Sequence, residues 1–227
     1  MRILALDTST LAGSVALLED ELIRAEVNMN LGGKHTERLL PGMDWIFQEL
    51  DLEPRQIEAI AVGIGPGSFT GLRVGLATAK GLAVSLEIPI VGVMSLDALA
   101  WQARFYEGKI LALIDARKGQ VFARFYQGGA DFSGLAEPVV VNPEELAAKI
   151  PDQTLVVGEG LRACAGVFAK LEGRIIIAGA EFDSPRGSII GRLGLLRLKQ
   201  GESDSPDRLV PVYLRPSDAE YSRMGVK

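Results

Sequence analysis

The sequence predicts an α/β protein in which two lobes repeat one order of secondary-structure elements along 227 residues. Each half opens with a short apolar run that ends in an aspartate, at Asp7 and at Asp115. In each half two more strand-like runs follow, and then a helical pattern, a strand and a second helical pattern. The halves share negligible identity, so the order of elements alone supports the prediction. The predicted lobes are residues 1–107 and 108–227.

The first lobe begins with three strand-like runs joined by short turns, which is typical of an antiparallel meander. Leu39, Met43, Ile46 and Leu50 then recur at helical spacing and predict an amphipathic helix. Ser95 has the residue type of an N-cap, and a helix is predicted from there to about Tyr106. The other predicted elements are strands at 3–7, 13–18, 21–28, 57–64 and 89–93 and a helix at 72–86.

The second lobe repeats this order. Asn142-Pro143 is a strong helix start, with Asn as the cap and Pro at the first helical position. The tail from Gln200 onward is polar and then apolar, and we expect it to lie extended on the surface and dock through its apolar side chains. The predicted strands are 109–115, 119–126, 138–141 and 154–157, and two further helices are predicted at 161–171 and from Ser184-Pro185 to 199.

Two copies of this order are the pattern of the duplicated RNase-H-like fold, also called the actin-like ATPase or ASKHA fold. In that fold two mixed-sheet lobes, each flanked by helices, face each other across a cleft.

The composition excludes several classes of protein. One histidine, His35, and one cysteine, Cys164, cannot form the ligand sets of most zinc hydrolases, and Cys164 lies in an Ala-rich segment typical of a small core residue. A net charge of −5 argues against a free-standing nucleic-acid binder. Apolar runs of six residues or fewer are too short for a membrane helix, which needs roughly 20. We expect a cytoplasmic protein without a signal peptide.

The most distinctive segment is the glycine-rich loop Gly63-Ile64-Gly65-Pro66-Gly67-Ser68-Phe69-Thr70-Gly71 between a strand and a helix. Such a loop can bind an anion through free backbone N–H groups and the helix N-terminus. The loop lacks the lysine of a Walker motif, and Ser68 stands where a dinucleotide motif has its third glycine. The glycines can equally provide turns and close packing, so both interpretations stay open.

The helix after this loop carries small residues at every fourth position. Glycine inside a helix costs about 1 kcal/mol relative to alanine, which is accepted most readily where another backbone approaches closely. The approaching backbone belongs either to this chain or to another subunit, and the small second side at Gly81 and Ser85 favours another subunit. The stripe consists of Gly71, Gly75, Ala79 and Ala83.

Asp7-Thr8-Ser9 stands where actin-like ATPases have their first phosphate loop. Ser9 replaces the glycine that lets phosphate approach in the Asp-x-Gly-Thr pattern, so we do not expect this loop to bind ATP for catalysis. Asp115 occupies the equivalent turn of the second lobe. Asp7, Thr8, Ser9 and Asp115 are therefore vestigial phosphate or nucleotide contacts in this interpretation, although acids at strand ends more often cap turns.

Several segments together resemble the TsaB (YeaZ) family, and the resemblance covers essentially the whole chain. The glycine-rich loop, extended to Gly75, is the most specific of them. The others are Ile3 to Ser9, His35-Thr36-Glu37-Arg38-Leu39-Leu40-Pro41, Asp115-Ala116-Arg117 and Pro211-Val212-Tyr213-Leu214-Arg215.

The resemblance implies a non-catalytic subunit of the bacterial machinery that makes N6-threonylcarbamoyladenosine next to the anticodon, in tRNAs reading codons that begin with A. In that family the catalytic paralogue is TsaD, which carries a metal-binding histidine pair and binds the threonylcarbamoyl-adenylate donor. TsaB pairs with TsaD, the ATPase TsaE joins the pair, and TsaB alone forms homodimers. Contact with tRNA is then indirect, and no resident cofactor is expected, apart from weak ATP or ADP binding at the cleft or subunit boundary.

The resemblance also implies that two helices of the first lobe form the surface shared with the TsaD-like partner. Its predicted interface residues are His35, Leu39, Met43, Gly71, Gly75, Ala79 and Ala83.

Two other classes of protein remain as alternatives. An independent actin-like ATPase or kinase is opposed by the altered first phosphate loop, and a metallopeptidase is opposed by the single histidine.

Overall fold

Two mixed β-sheets with the same strand order form the frame of the protein. The computed structural model describes residues 1–30, 32 and 35–215, and only the backbone of residues 35 and 36. The first sheet contains β1 (Arg2–Asp7), β2 (Ala12–Glu19), β3 (Leu22–Asn30), β4 (Ala59–Gly63) and β5 (Ile90–Val93). The second contains β6 (Lys109–Arg117), β7 (Gln120–Gln127), β8 (Ser133–Gly134), β9 (Val139–Val141), β10 (Thr154–Val157) and β11 (Ile175–Ile177).

The strand order confirms the predicted duplication. The first sheet has the order β3-β2-β1-β4-β5, with β1 antiparallel to β2 and parallel to β4. The second has the order β11-β10-β6-β7-β8, in which β6 is likewise antiparallel to β7 and parallel to β10, and β9 also pairs with β7. The two central strands, β1 and β6, therefore bring Asp7 and Asp115 to equivalent ends of the two sheets.

Seven α-helices of the described part surround and connect the sheets. Leu39, Met43 and Ile46 of α1 are buried, as their helical spacing predicts. The helices are α1 (His35–Glu49), α2 (Phe69–Leu86), α3 (Ser95–Gln102), α4 (Pro143–Ala147), α5 (Gly160–Ala163), α6 (Ala165–Phe168) and α7 (Gly187–Lys199). None of them is long and apolar enough to cross a membrane.

The packing of two helices differs from what their position in the sequence suggests. α7 follows the second sheet in the chain but packs on the first, where Ile190 is fully buried beside Ile3 and Ala61. A methyl group added at Gly194 would lie 2.6 Å from Cβ of Ala61, so the helix backbone lies close to the sheet. α3 contacts both lobes, because Leu96 packs with the core of the second sheet. Through α7, the predicted second lobe, 108–227, therefore contributes a helix to the first lobe.

Several predicted elements differ in detail. The helix predicted at 161–171 is divided into α5, α6 and a 3₁₀ turn at Ala169–Leu171, and the helix predicted to reach Tyr106 ends at Gln102. Ser95 is not the N-cap of α3 but its first residue, because its hydroxyl is used for a contact with Asp7. Asn142 caps α4 as predicted and accepts a hydrogen bond from the Glu144 N–H. Strands β8 and β11 were not predicted.

The tail docks through an apolar side chain, as predicted, and it docks on the first lobe. Leu209 is 8% exposed and joins the core between the first sheet, α1 and α2. Lys80 Nζ donates to the Leu209 carbonyl over 3.2 Å. The Val212 N–H donates to the Ile64 carbonyl over 2.8 Å. The tail therefore returns across the end of the first sheet towards the cleft between the lobes.

Candidate functional site

A cleft between the two lobes brings together two of the four predicted nucleotide contacts, Ser9 and Asp115. Its volume is about 190 Å³, smaller than the roughly 300–1,000 Å³ of most ligand pockets. Ser9 and Asp115 both line it, which confirms that the equivalent strand ends face one another across the lobes. The other lining residues include Thr10, Leu11, Gly67, Ser68, Phe69, Thr70, Arg117, Glu159, Tyr213 and Arg215.

Asp7 does not open into this cleft, because its carboxylate is bonded inside the protein. The residue is 1% exposed. Oδ1 accepts hydrogen bonds from the backbone N–H and the hydroxyl of Ser9, at 2.8 and 2.6 Å. Oδ2 accepts from the Ser95 hydroxyl at 2.7 Å. Such a bonded buried carboxylate stabilises the loop around it and is poorly placed to bind a phosphate or a metal ion.

The glycine-rich loop lies directly on the first phosphate-loop segment. The Ser68 N–H donates to the Ser9 carbonyl over 2.6 Å, and a methyl group added at Gly67 would collide with that carbonyl. The Ser68 hydroxyl caps α2 by accepting from the Gly71 N–H over 3.3 Å. These donors of the loop are therefore used within the chain, which favours close packing over anion binding for the loop.

Thr8 is tied to the start of α2. It is fully buried, and its hydroxyl donates to the Gly71 carbonyl over 2.7 Å. A methyl group added at Gly75 would collide with Thr8 Oγ1 and lie 3.3 Å from Leu6 Cδ1. The glycine at position 75 therefore lets α2 approach the end of β1.

The cleft contains a pair of acids from the second lobe. Asp115 accepts a hydrogen bond from the Arg117 N–H over 2.8 Å and forms an ion pair with its side chain at 3.2 Å. Burial, with the negative charge of Asp115 as the next largest cause, raises the pKa of Glu159 to about 7, against the opposing effect of Arg117. Sequence reasoning missed Glu159, since a single acid in the turn Gly158-Glu159-Gly160 carries no motif.

The tail supplies a wall of the cleft that sequence reasoning also missed. The Tyr213 ring lies 5.0 Å from the Phe69 ring, and its hydroxyl accepts from Arg73 Nε over 3.2 Å. The Arg215 guanidinium donates to the backbone carbonyls of Ala116 and Arg117. Residues 209–215 thus connect α2 of the first lobe to the β6–β7 turn of the second.

Most of the side chains predicted for the partner interface lie in the core of this chain. Leu39 and Met43 are 2% and 4% exposed and pack with Leu76. Gly71, Gly75, Ala79 and Ala83 are buried, so the small-residue stripe faces β1 and β4 of the same chain. The side chain of His35 lies outside the described residues.

The opposite sides of the same two helices are exposed. On α2 the exposed residues include Arg73, Ala77, Gly81, Val84 and Ser85, and nothing lies within 4 Å of a methyl group added at Gly81. On α1, Leu40 and Trp45 are 58% and 48% exposed, and Val84 of α2 is 62% exposed. Exposed apolar residues of this size on neighbouring helices are typical of an interaction surface.

Neither metal ligation nor thiol chemistry is indicated by the part of the chain described. Residues 1–30, 32 and 35–215 contain no group of three or more His, Cys, Asp or Glu side chains arranged to hold a metal ion. Burial raises the pKa of the Cys164 thiol, which disfavours the reactive thiolate. Cys164 packs against the core of the second sheet, as its surroundings in the sequence indicate.

The two sheets, their common strand order and the cleft at the ends of β1 and β6 define a protein of the actin-like, duplicated RNase-H-like class. A chain of the PilM–PilN type IV pilus biogenesis complex has this fold, with a TM-score of 0.51 and 10% identity over 89% of this chain and 99% of its own. That likeness concerns the fold alone.

The family follows from closer relatives. The chain is 34% identical to the tRNA threonylcarbamoyladenosine biosynthesis protein TsaB of Bacillus subtilis, over 97% of this chain and 96% of that protein. YeaZ from Pseudomonas aeruginosa has a TM-score of 0.81 and 30% identity, over 94% and 99% of the two chains. The chain belongs to the TsaB (YeaZ) family. Residues 30–220 also match the model of TsaD, tRNA N6-adenosine threonylcarbamoyltransferase, which fits a TsaD-like paralogue.

Proposed function

We propose that this chain is a non-catalytic subunit in the formation of N6-threonylcarbamoyladenosine in tRNA, and that it supports a TsaD-like catalytic paralogue together with a TsaE-like ATPase. The observation that carries the proposal is that the first phosphate-loop segment, residues 7–9, is hydrogen-bonded within the chain. Asp7 is saturated by Ser9 and Ser95, and the glycine-rich loop covers the Ser9 carbonyl. A phosphate would have to displace these internal hydrogen bonds to reach the strand end.

The composition also supports a non-catalytic role for this chain beside a catalytic paralogue. The chain has a single histidine, His35, whereas the resemblance gives the TsaD paralogue a metal-binding histidine pair. The cleft places two acids, Asp115 and Glu159, where a nucleotide would bring further negative charge. Weak ATP or ADP binding at the cleft or at a subunit boundary is compatible with this role, but catalysis by the chain alone is not.

We place the contact with the paralogue on the exposed faces of α1 and α2. The small side of α2 at Ala77 and Gly81 lets another helix approach closely, and Trp45 and Val84 supply apolar contact area. In the absence of the paralogue a second copy of this chain would cover the same face, as a homodimer. With a net charge of −5, the chain would contact tRNA through its partners rather than directly.

Reconstitution tests the proposal. Labelled threonine should enter tRNA when the chain is combined with its TsaD-like and TsaE-like partners and the adenylate donor, and incorporation should fall strongly when the chain is omitted. The chain alone should give no modified tRNA. Modification by the chain alone, or phosphate release by it at a rate typical of a kinase, would support the alternative of an independent actin-like enzyme.

A further inference from the structure

The tail segment 209–215 is anchored in both lobes by apolar side chains. Leu209 is 8% exposed and belongs to the core between the first sheet, α1 and α2. Leu214 is partly buried and packs against the core of the second sheet. An extended chain spans at most about 3.6 Å per residue, so the five steps between these leucines cover no more than about 18 Å. The segment therefore limits how far the lobes can separate while both leucines stay in place.

Hydrogen bonds reinforce both ends of this segment. In the first lobe, the Val212 N–H donates to the Ile64 carbonyl over 2.8 Å. In the second lobe, the Arg215 guanidinium donates to the Ala116 carbonyl and, over 3.2 Å, to the Arg117 carbonyl. Hydrogen bonds from a charged donor are shorter and stronger than those between neutral groups. Arg215 therefore fixes the end of the segment to the β6–β7 turn beside the cleft.

The anchor in the second lobe is the weaker of the two. Leu209 is enclosed by the core, and its carbonyl accepts from Lys80 Nζ over 3.2 Å. At the other end, Tyr213 is 44% exposed, and Leu214 and Arg215 are only partly buried. Segments with few buried apolar contacts and accessible hydrogen bonds open at a lower free energy than the core does. We therefore expect the end in the second lobe to detach first, while Leu209 stays in place.

The weaker end is also held from the exposed face of α2. Arg73 is exposed, and its guanidinium carbon lies 3.8 Å from the centre of the Phe69 ring. Its Nε donates to the Tyr213 hydroxyl over 3.2 Å, and the Phe69 and Tyr213 rings are 5.0 Å apart. The three side chains form one cluster. Because Tyr213 directly precedes the residues that contact the second lobe, a change at Arg73 acts on that anchor.

We propose that residues 209–215 form a clasp that holds the two lobes together, and that Arg73 on the exposed face of α2 stabilises its closed position. When the end of the clasp leaves the second lobe, the lobes move apart along the cleft. They stay joined through α3, whose Leu96 packs with the core of the second sheet. A partner that covers α2 would then control the arrangement of the lobes. This last step rests on the partner surface proposed above, whereas the clasp itself does not.

Distances between spin labels on the two lobes test the clasp. The labels are attached to Glu49→Cys on α1 and Glu145→Cys on α4, both exposed positions, in a Cys164→Ala background. Tenfold dilution with unlabelled protein restricts pulsed electron paramagnetic resonance to distances within one chain. Arg215→Ala should raise the fraction of longer distances at least threefold. Arg208→Ala, the same change at an exposed position of the tail, should leave the distances unchanged.

A second pair of variants tests the link to α2. Arg73→Ala should also raise the fraction of longer distances, by less than Arg215→Ala does, because it removes only the contact with Tyr213. In the Arg215→Ala background it should add little, since both side chains act on the same clasp. A cooperative urea transition with the midpoint of the labelled parent should show that each variant is folded.

Three results would overturn the proposal. The first is the same distance distribution for Arg215→Ala and Arg208→Ala, because the lobes would then be held without the clasp. The second is an unchanged distribution for Arg73→Ala, and the third is a full additional effect of Arg73→Ala in the Arg215→Ala background. All these measurements use this chain alone, so they can fail while the reconstitution that tests the proposed function succeeds.

Discussion

The hydroxyl of Ser95 donates a 2.7 Å hydrogen bond to Oδ2 of Asp7 and thereby joins the end of β1 to the first turn of α3. The same hydroxyl accepts from the Gly65 N–H over 3.2 Å, so the glycine-rich loop belongs to the same network. Both residues are buried. The aspartate at the end of β1 therefore connects three segments around the position of the first phosphate loop.

Removal of the Asp7 carboxylate should destabilise the fold. Asp7→Ala leaves the buried donors of Ser9 and Ser95 without their acceptor, and we expect the free energy of unfolding to fall by about 1–3 kcal/mol. Ser95→Ala should cost less, and the double variant should lose less than the sum, because the two side chains share one bond. Urea denaturation of the four proteins measures this coupling.

The exposed acid Asp131 provides a control, since Asp131→Ala should change the free energy of unfolding by no more than about 0.5 kcal/mol. Additive effects of Asp7→Ala and Ser95→Ala would contradict the structural role given to their hydrogen bond. A loss of function in Asp7→Ala without any loss of stability would instead favour a phosphate contact.

Two glycines of α2 should respond to alanine with opposite signs. Gly75→Ala drives a methyl group into Thr8 and should destabilise the protein by about 1–3 kcal/mol. Gly81→Ala meets open space and should stabilise it by about 0.5–1 kcal/mol, because alanine favours the helix. Thermal or urea unfolding of the pair measures both. Equal effects would show that the inward and outward sides of α2 are assigned wrongly.

Stability should depend on pH through Glu159. Its pKa of about 7 in the folded state lies above the roughly 4.3 of an unfolded glutamate, so the folded chain holds a proton that the unfolded chain has lost. The free energy of unfolding should then decrease as pH rises through 7. Between pH 6 and pH 8, wild type should lose about 1 kcal/mol relative to Glu159→Gln.

The second cause of the raised pKa provides its own test. Asp115→Asn removes the nearby negative charge and should lower the pKa of Glu159, which carbon NMR of its carboxyl group measures directly. A Glu159→Gln variant with the same pH dependence of unfolding as wild type would contradict the assignment of the titration to this residue.

The proposed partner surface predicts loss of assembly without loss of folding. Gly81→Leu fills the small exposed side of α2 and should weaken binding to the TsaD-like paralogue at least tenfold. The monomer should be at least as stable as wild type, because leucine also favours a helix over glycine. Ala163→Leu adds the same side chain to an exposed position of the other lobe and serves as the control. Size-exclusion chromatography of the mixed subunits measures assembly, and an intact complex with Gly81→Leu would place the interface elsewhere.

Local patterns predicted most of the strands and helices. Short apolar runs ending in Asp7 and Asp115 form the central strands, and the Asn142-Pro143 pair begins a helix, as expected. Both features can be predicted because helix capping and strand burial depend on residues that are neighbours in the sequence. The placement of α7 could not be predicted in this way. Its apolar face suits either sheet, and only the folded chain decides which sheet it covers.

The site was less accessible to sequence reasoning. α2 has small residues on two sides, at Gly75 and at Gly81, and spacing alone cannot say which side faces the core. Ser95 has the chemistry of a cap, yet a distant acceptor, Asp7, competes for its hydroxyl. Glu159 acquires its raised pKa from burial and from Asp115, which is far from it in the sequence.

The central claim is that the chain supports threonylcarbamoylation through its α1–α2 surface and not through chemistry in its own cleft. A reconstituted reaction with the TsaD-like and TsaE-like partners tests it by comparing the cleft double variant Asp115→Asn/Glu159→Gln with the surface variant Gly81→Leu. The claim predicts that the cleft variant keeps the wild-type rate of threonine incorporation into tRNA and that the surface variant loses most of it. Loss of incorporation with the cleft variant, together with full activity of Gly81→Leu, would contradict it.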